Sequence, residues 1–350
     1  MAQHTGDYAI VVGINSYSQL RPLRAAHKDA TEFAQWLHSP DGGGLPVKNV
    51  RLILSPDAFP ADPLDATPVQ KDIDKALRDF GVLNNRRIGR RLYFYFAGHG
   101  IGPTFDDVGL LMAPAAMNGL KRNIGLRPYR LYFHDHFLFD ELVFILDCCR
   151  DPAHSVETAG PDFTIAHSPV SPVNDFVILA AAYGEKAFEP TDKVTDERRG
   201  LLTRAVLEGL QKPEAADSQG RFTAYTLREY VKKRVPALAK DEKLRQEPDI
   251  PLPEKDILFS TLPVGQLAKV NVRIAVTEDL GGSLILRDNA MQVIEERPAV
   301  VDQPPWNIRL LRNRWYAVEH TASEPGTPPA ILDLRNVKHN PYVFHFPRPG

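Results

Sequence analysis

Two segments of the sequence place a histidine and a cysteine directly after apolar runs that are typical of buried strands. Residues 91–96 lead into His99, which has a glycine on each side, and residues 142–146 lead into Cys149. A thiol needs a nearby base to become a nucleophile at neutral pH, and imidazole can accept that proton and return it to a leaving amine. The two residue types together therefore indicate nucleophilic catalysis, provided that the fold brings the strand ends together.

The elements predicted around these residues can bring His99 and Cys149 together. Apolar runs alternate with helical patterns through the first 260 residues, and this alternation predicts an α/β fold with a mostly parallel sheet sandwiched by helices. Ligands bind outside the carboxyl ends of the strands in such a sheet, where His99 and Cys149 fall. The predicted strands are 8–14, 50–54, 91–96, 142–146, 176–181 and a closing strand at 257–260, and the predicted helices are 25–37, 67–80, one within 129–141, 201–210 and 226–235.

The pattern changes at about residue 262. Short strand candidates separated by Gly, Asn and Pro turns predict a small β-sandwich of immunoglobulin-like or prealbumin-like type over 263–350, after an α/β domain at 1–262. Residues 312–314 are predicted to form a hairpin tip, and the proline-rich segment 151–172 a long exposed loop. The strand candidates are 270–276, 283–287, 292–296, 308–311, 315–319 and 342–346.

Composition and charge exclude several classes of function. Hydrophobic residues make up 43% of the chain, and the formal net charge of −2 gives no basic field that would favour nucleic acid. The only two cysteines, Cys148 and Cys149, are adjacent and poorly placed for a disulfide, which fits a reducing compartment. Because no apolar stretch suits a membrane helix and the first residues lack a signal-peptide pattern, we expect a cytoplasmic protein.

The motifs Tyr-Phe-Ala-Gly-His-Gly and Asp-Cys-Cys-Arg-Asp resemble those of the caspase and metacaspase clan of cysteine peptidases. The resemblance covers roughly residues 8–260, and it includes the opening strand at 9–15, the segment at 23–30 and Gly-Leu-Leu-Thr at 200–203. The chain resembles a bacterial-type member of this clan with an added C-terminal β-rich domain. The resemblance implies a cysteine endopeptidase that acts on protein substrates through a thioester.

The resemblance also implies roles for individual residues. The thiol of the clan lies two residues after an acidic or amide residue, which makes Cys149 the nucleophile and His99 its base, with the Gly100 and Cys149 amides as the oxyanion hole. In metacaspases two acidic residues hold a basic P1 side chain, and the matching positions here are Asp29 and Asp147. Two carboxylates suit a guanidinium or ammonium because charge-assisted hydrogen bonds are strong. Cleavage after Arg or Lys is therefore expected.

Other interpretations stay open for some of these residues. Asp29 could cap or ion-pair within its own helix, and Asp147 could accept backbone N–H bonds at its strand end. Cys148 is interpreted as a small buried residue. At the level of function, the alternative to a peptidase is a catalytically silent caspase-fold scaffold or signalling module.

No metal or cofactor is predicted. The segment 133–137 carries two histidines without Cys or Glu partners at zinc spacing, and calcium at residues 106–107 is a minority alternative.

The linker 151–176 contains no Lys or Arg. An enzyme that requires a basic P1 residue cannot cut itself there, so we expect a single-chain enzyme that is switched on by a partner or ligand. If self-cleavage occurs, the favoured sites are Lys186, Lys193, Arg198 and Arg199.

Overall fold

The computed structural model describes residues 4–58, 60–84, 86–164, 172–191, 197–301, 304, 306–324, 326–335, 337 and 339–346. The chain divides into two compact units, one made of Met1–Gln211 with Phe222–Ser260 and the other of Lys212–Arg221 with Thr261–Gly350. A domain boundary near residue 262 remains our proposal.

Strands and helices alternate along the first 260 residues, as the sequence predicts. In chain order the elements are β1 (Asp7–Gly13), α1 (Ala26–His38), β2 (Val50–Leu54), α2 (Gln70–Asp79), β3 (Gly89–Ala97), β4 (Gly100–Gly102), β5 (Gly109–Leu111), β6 (Asn123–Gly125), α3 (Leu126–His136), β7 (Phe139–Asp147), β8 (Asp151–Pro152), β9 (Asn174–Leu179), α4 (Leu201–Gln211), β10 (Arg221–Thr223), α5 (Ala224–Asp241) and β11 (Leu258–Thr261). Five of the strands form one parallel sheet in the order β2-β1-β3-β7-β9. The prediction of an α/β fold is confirmed.

Helices cover both faces of this sheet. Phe94 of β3 packs on Tyr129 of α3, with ring centroids 6.1 Å apart, and Tyr95 stacks on Phe33 of α1 at 4.7 Å. Successive side chains of a strand point to opposite faces, so α1 and α3 lie on opposite sides of β3. A strand that is buried on both faces needs a continuous apolar run, which explains the composition of β3.

The strand predicted at 257–260 is present as β11, but it does not belong to the main sheet. β11 pairs with β10 in a separate two-stranded sheet, and β9 is the edge of the main sheet. The backbone N–H and C=O groups of Leu179 in β9 instead exchange hydrogen bonds with Asp249, each 3.0 Å long. Phe259 is the one buried side chain of β11, so this strand suits a half-covered position rather than the main sheet.

Two local features also differ from the sequence pattern. α2 begins at Gln70, after Pro68, and the Asp72 carboxylate accepts the Val69 N–H at 2.8 Å. β4, β5, β6 and β8 form a small second sheet in the order β6-β5-β4-β8, and strands of two or three residues are too short to show a period in the sequence. β8 occupies the start of the predicted loop 151–172, of which residues 165–171 lie outside the described part of the chain.

The C-terminal region consists of strands: β12 (Lys269–Val276), β13 (Ser283–Arg287), β14 (Val293–Pro298), β15 (Trp306–Leu311), β16 (Trp315–His320), β17 (Ala330–Asp333) and β18 (Tyr342–Phe346). They form two sheets, β15-β12-β18 and β14-β13-β16-β17. Val272 and Phe344 of one sheet belong to the same buried core as Leu286 and Val318 of the other. The predicted β-sandwich is therefore confirmed.

The prediction of a hairpin at 312–314 is wrong. β15 pairs with β12, whereas β16 pairs with β13 and β17, so this tight connection crosses from one sheet to the other. Asn313 adopts a left-handed φ of 60° there, a conformation that Asn tolerates in hairpins and crossings alike. Turn chemistry alone does not distinguish the two.

Candidate active site

The register of the main sheet places the two predicted catalytic segments side by side. Ala97, the last residue of β3, is the partner of Asp147, the last residue of β7. The chain continues two residues from Ala97 to His99 and two residues from Asp147 to Cys149. Parallel strands that end level with each other must deliver these two side chains to the same edge of the sheet.

A cleft of about 490 Å³ opens at this edge. His99, Cys149, Asp29 and Asp147 all contribute to its lining, so four of the five predicted site residues share one cleft. The fifth, Gly100, packs directly against the cysteine pair rather than lining the cleft wall.

His99 is held in place through its backbone and its ring. Its N–H donates to the Tyr17 hydroxyl at 2.8 Å, and the two rings pack with centroids 4.7 Å apart. Tyr17 is buried, and its hydroxyl in turn donates to the Leu111 carbonyl at 3.2 Å. The His99 Nε2 atom lies 2.7 Å from the Arg21 carbonyl oxygen. Because a carbonyl only accepts, Nε2 carries the proton, and Nδ1 of the neutral ring is the free base.

The Cys149 thiol contacts one residue of the segment that follows β9. The Ala187 N–H donates to Sγ at 3.4 Å, and the thiol donates to the Ala187 carbonyl at 3.6 Å. Burial raises the pKa of the Cys149 thiol, and the carboxylates of Asp151 and Asp147 raise it further, against the Ala187 N–H and the Lys186 charge. The thiol is therefore protonated at neutral pH and needs a base to become a nucleophile.

Gly100 and Cys149 each present a backbone N–H that is not used by the strand ladder. The Leu111 N–H donates to the His99 carbonyl at 3.0 Å, which makes Gly100 and Leu110 a non-hydrogen-bonded pair, so the Gly100 N–H points away from β5. The Cys149 N–H has no acceptor among the residues that the structure describes. These two amides are candidates for stabilising an oxyanion.

Close packing explains why residue 100 is a glycine. A Cβ atom there would lie 2.5 Å from the Cys148 Sγ atom and 2.6 Å from the Cys149 carbonyl oxygen. Cys148 itself is buried, and burial raises the pKa of its thiol well above the usual value. Cys148 is therefore a small buried residue in the floor of the cleft lining, as the sequence analysis expects it to be buried.

Asp29 and Asp147 form another part of the cleft lining, which we call the acidic end. Asp29 lies in the first turn of α1 and accepts the Gly200 N–H at 2.8 Å through Oδ2. Asp147 accepts the N–H and the hydroxyl of Thr203 at 3.0 and 2.7 Å. Both carboxylates therefore bind the start of α4, and a Cβ atom at Gly200 would collide with Asp147 Oδ2 and lie 2.8 Å from Asp29 Oδ2.

The carboxylate oxygens of the acidic end are only partly hydrogen-bonded. The Asp29 Oδ1 atom is buried and accepts no hydrogen bond within the described residues, and its nearest cation is Arg199 Nε at 3.8 Å. Burial raises the pKa of Asp29 well above its usual value, with a further rise from the Asp147 charge. Burial also raises the pKa of Asp147 to about 6, and the nearby Glu189 adds to the rise. A cation bound here would relieve both effects.

The match to a protein-family model decides the classification: the model for the caspase domain (peptidase C14) aligns with residues 7–253. The chain belongs to the caspase family. A curated relative, a "probable protease" from a Desulfuromonadales bacterium, is 30% identical over 222 residues, in an alignment that covers 59% of this chain and 26% of that protein. The chain thus spans about a quarter of the length of that relative. The solved structure of pro-sf-caspase-1 aligns at a TM-score of 0.40 and 12% identity over 72% of this chain and 92% of its own, a likeness too remote to carry an argument.

In this caspase-family chain the sequence analysis missed four residues that shape the site. Thr203 lies in the quoted Gly-Leu-Leu-Thr motif and could have been found there. Tyr17, Ala187 and Glu189 lie in loops without a recognisable pattern, and only their contacts in the fold identify them.

Arg150, the residue after Cys149, anchors the loop that carries this cysteine. Arg150 is buried, and its guanidinium donates to the Asp249 carboxylate at 3.0 Å and to the Phe105 carbonyl at 2.6 Å. The same group lies 5.8 Å from the centre of the Tyr183 ring. Breaking a buried ion pair leaves an uncompensated charge, so Arg150 resists movement of the loop that carries Cys149.

Residues that were considered as alternative metal ligands bind other groups in the fold. Asp107 accepts the N–H groups of Val108 and Arg127, each at 2.8 Å, and His134 lies 3.1 Å from Asp175. Within the described residues, no three His, Cys, Asp or Glu side chains are grouped as metal ligands, and no helix is long and apolar enough to cross a membrane.

Proposed function

We propose that this caspase-family chain is a cysteine endopeptidase that cleaves protein substrates after Arg or Lys with Cys149 and His99. The observation that carries the proposal is the pairing of Ala97 with Asp147, because it sets the two strand ends level at one cleft. The proposed basic specificity is supported by the buried carboxylates at the acidic end.

The first half of the reaction forms a thioester. The Cys149 thiol leaves the Ala187 carbonyl and gives its proton to Nδ1 of His99, and Sγ attacks the carbonyl carbon of the scissile bond. The amides of Gly100 and Cys149 donate to the resulting oxyanion. Preorganised donors of this kind are typically among the largest contributions to catalysis. When the tetrahedral intermediate collapses, the C–N bond breaks and the imidazolium gives its proton to the leaving amine.

The second half of the reaction hydrolyses the thioester. His99, neutral again, accepts a proton from water while the water oxygen attacks the thioester carbonyl. Collapse of this second intermediate breaks the C–S bond and returns the proton to Cys149. Throughout, the hydrogen bond from Nε2 to the Arg21 carbonyl holds the ring in one tautomer.

The specificity argument rests on charge balance. Asp29 and Asp147 are each almost completely buried, and the pKa values of both carboxyl groups are raised. A guanidinium or ammonium in this end of the cleft would pair with both carboxylates, whereas an acidic P1 side chain would add a further negative charge. A charge-assisted hydrogen bond is worth about 1.5–3 kcal/mol, enough for a tenfold preference or more.

We also propose that the chain acts uncut and is switched on by a partner or ligand, because its linker 151–176 has no basic residue. Of the alternative cleavage sites, Lys186 and Arg198 line the cleft and Arg199 pairs with Glu32, while Lys193 lies outside the described residues. Mass spectrometry of active protein should show one intact chain, and fragments that end between residues 151 and 185 would contradict the proposal.

The test of the proposed function is a panel of fluorogenic peptides that differ only at P1: Arg, Lys, citrulline and Asp. Wild type and Cys149→Ala are compared with and without calcium. We expect the wild type to prefer Arg and Lys over citrulline by about tenfold or more, and Cys149→Ala to be inactive. Efficient cleavage after Asp would contradict the basic specificity. No cleavage, together with a Cys149 that reacts with iodoacetamide no faster than a free thiol, would favour the scaffold.

A further inference from the structure

The β-sandwich carries positive charge on the outer face of its three-stranded sheet, β15-β12-β18. Even-numbered residues of β12 and β15, such as Val272 and Leu310, belong to the buried core, so the odd-numbered residues point outward. Three of these are exposed cations, Lys269 and Arg273 of β12 and Arg309 of β15. We call the outward-facing residues of this sheet the basic face.

No acidic residue of this sheet balances the three cations. β12, β15 and β18 contain neither Asp nor Glu, and within the described part of the chain the three cationic side chains form no ion pair or hydrogen bond. The other sheet of the sandwich is different, because Arg287 pairs with Glu319 and Arg297 pairs with Glu295. Neighbouring like charges repel, and an anionic partner on the basic face would relieve that repulsion.

The three cations follow a regular spacing. Arg309 is the register partner of Asn271, which lies two residues from Lys269 and two from Arg273. Arg309 is therefore a diagonal neighbour of both, and diagonal neighbours in a sheet are about 7–8 Å apart. An extended peptide directs every second side chain to the same side at intervals of about 7 Å. Acidic residues at alternate positions of such a peptide would therefore meet successive cations.

A cavity on the basic face provides space and further hydrogen-bonding groups. It has a volume of about 340 Å³, and Asn271, Asn307, Arg309 and Pro341 are among the residues that line it. An Asn amide has two N–H donors and one carbonyl acceptor, and neither of these two amides forms a hydrogen bond with the described residues. Both amides are thus available to the backbone or the carboxylates of a bound segment.

The composition of the basic face favours a protein partner over a nucleic acid. Proteins bind single-stranded nucleic acids partly by stacking the bases on aromatic side chains, but the Trp, Tyr and Phe side chains of these three strands belong to the buried core or pack against it. The formal net charge of −2 gives the whole chain no general attraction for polyanions. Clustered arginines are a recurring means of recognising acidic motifs in proteins.

We propose that the basic face binds an extended acidic segment of a partner protein, with Asp or Glu at alternate positions. Arg273 and Arg309 each bind one carboxylate, because the planar guanidinium matches a carboxylate in a bidentate pair, and Lys269 binds a third. The inference goes beyond the proposed function, since it requires neither cleavage nor the acidic end of the cleft.

The experiment measures binding of fluorescent peptides to the whole chain by anisotropy. In the acidic peptide, Glu and Thr alternate over the length of β12, which is eight residues. The reference peptide has Gln in place of every Glu, which keeps the shape and removes the charge. Neither peptide contains Lys or Arg, so the proposed peptidase activity does not degrade them.

Two triple variants are compared with the wild type. The face variant combines Lys269→Gln, Arg273→Gln and Arg309→Gln. The matched control removes the same charge from exposed positions in the other compact unit, with Lys71→Gln, Lys121→Gln and Lys233→Gln.

We expect the acidic peptide to bind at low ionic strength and the Gln peptide to bind at least about tenfold more weakly. The face variant should lose about tenfold or more in affinity for the acidic peptide, because an exposed ion pair contributes up to about fivefold and three are lost. Arg309→Gln alone should cost about two- to fivefold, and the control variant should stay within about twofold of wild type. Salt at about 1 M, where the screening length is about 3 Å, should remove the difference between the peptides.

Three results would overturn the inference. Equal binding of the two peptides would show that carboxylates are not recognised, and equal losses in the face variant and its control would show that only net charge matters. If single-stranded DNA or vesicles with anionic lipid bind the basic face more tightly than the acidic peptide does, the partner belongs to another class. Urea unfolding of both triple variants is measured first, and Arg309→Gln alone provides the test if the face variant does not fold.

Discussion

The two ends of the cleft differ in how their polar groups are satisfied. At the proposed catalytic end, His99 and Cys149 are held by hydrogen bonds with Tyr17, Arg21 and Ala187, most of them to backbone groups. At the acidic end, Asp29 and Asp147 accept hydrogen bonds from the start of α4, yet burial raises the pKa of both carboxyl groups. The function proposed for the first end therefore depends on the positions of the His99 and Cys149 side chains. The acidic end buries negative charge at a cost in stability, and a bound cation would reduce that cost.

This difference has a consequence for substitutions. A change at the catalytic end should alter activity strongly with little effect on selectivity between P1 residues. A change at the acidic end should alter selectivity, and it should stabilise the fold when it removes a charge. Similar trade-offs between stability and function are common where active sites bury charge.

The largest effect is expected at the cysteine pair. Cys149→Ala should reduce peptidase activity by at least about a thousandfold, because it removes the proposed nucleophile. Cys148→Ala should retain most activity and lose about 1 kcal/mol of stability through a small cavity. Activity and urea unfolding of both variants provide the check, and an active Cys149→Ala protein would show that the register at the strand end is misassigned.

The next effect concerns Gly100, which packs against the proposed nucleophile. Gly100→Ala should lower kcat by about a hundredfold, because the new Cβ atom would meet the Cys149 carbonyl oxygen at 2.6 Å and displace the Cys149 amide. Gly6→Ala is the matched control, since its Cβ atom would meet nothing closer than 3.6 Å. Equal activity in both glycine variants would contradict the role of this backbone in catalysis.

At the acidic end, Asp147→Asn should lower the preference for Arg over citrulline by about tenfold. The same variant should be more stable than wild type at pH 7 by about 1–3 kcal/mol. The pKa of Asp147 is raised from 3.8 to about 6, so the folded state binds a proton that the unfolded state has lost. Its contribution to stability is present below pH 3.8 and is lost as the pH rises through about 6.

Urea unfolding at pH 4 and pH 7 tests the stability part of this prediction. The gain in unfolding free energy from Asp147→Asn should be small at pH 4 and present at pH 7. In the activity assay, the preference of the wild type for Arg should rise between pH 5 and pH 7 as Asp147 ionises. The control is Asp140→Asn, whose exposed carboxylate pairs with Arg87. A destabilised Asp147→Asn protein at pH 7 would mean that the Thr203 hydrogen bonds outweigh the cost of the buried charge.

The smallest effect is expected at Tyr17. Tyr17→Phe removes the acceptor of the His99 N–H and the donor to the Leu111 carbonyl. Leaving a buried polar group unpaired costs about 1–3 kcal/mol of stability, and kcat should fall severalfold with an unchanged preference for Arg. A changed P1 preference would contradict the separation of the two ends of the cleft.

The sequence determined the elements whose residues carry a clear pattern. Strands such as Val50–Leu54 and Ser283–Arg287 were predicted with their bounds, because β-branched and apolar runs between turn residues leave few alternatives. The motifs also predict His99, Cys149, Asp29 and Asp147 as site residues, and these four residues line one cleft.

Only the tertiary structure decided which groups those residues meet. The bonds of Asp29 and Asp147 to the start of α4, and of Glu189 to the start of α1, join segments far apart in the chain. The partnership of β11 with β10 and the crossing at 312–314 likewise depend on which surfaces remain uncovered after the main sheets form. Local patterns specify which face of an element is apolar, but the choice of partner depends on long-range packing, which no local pattern records.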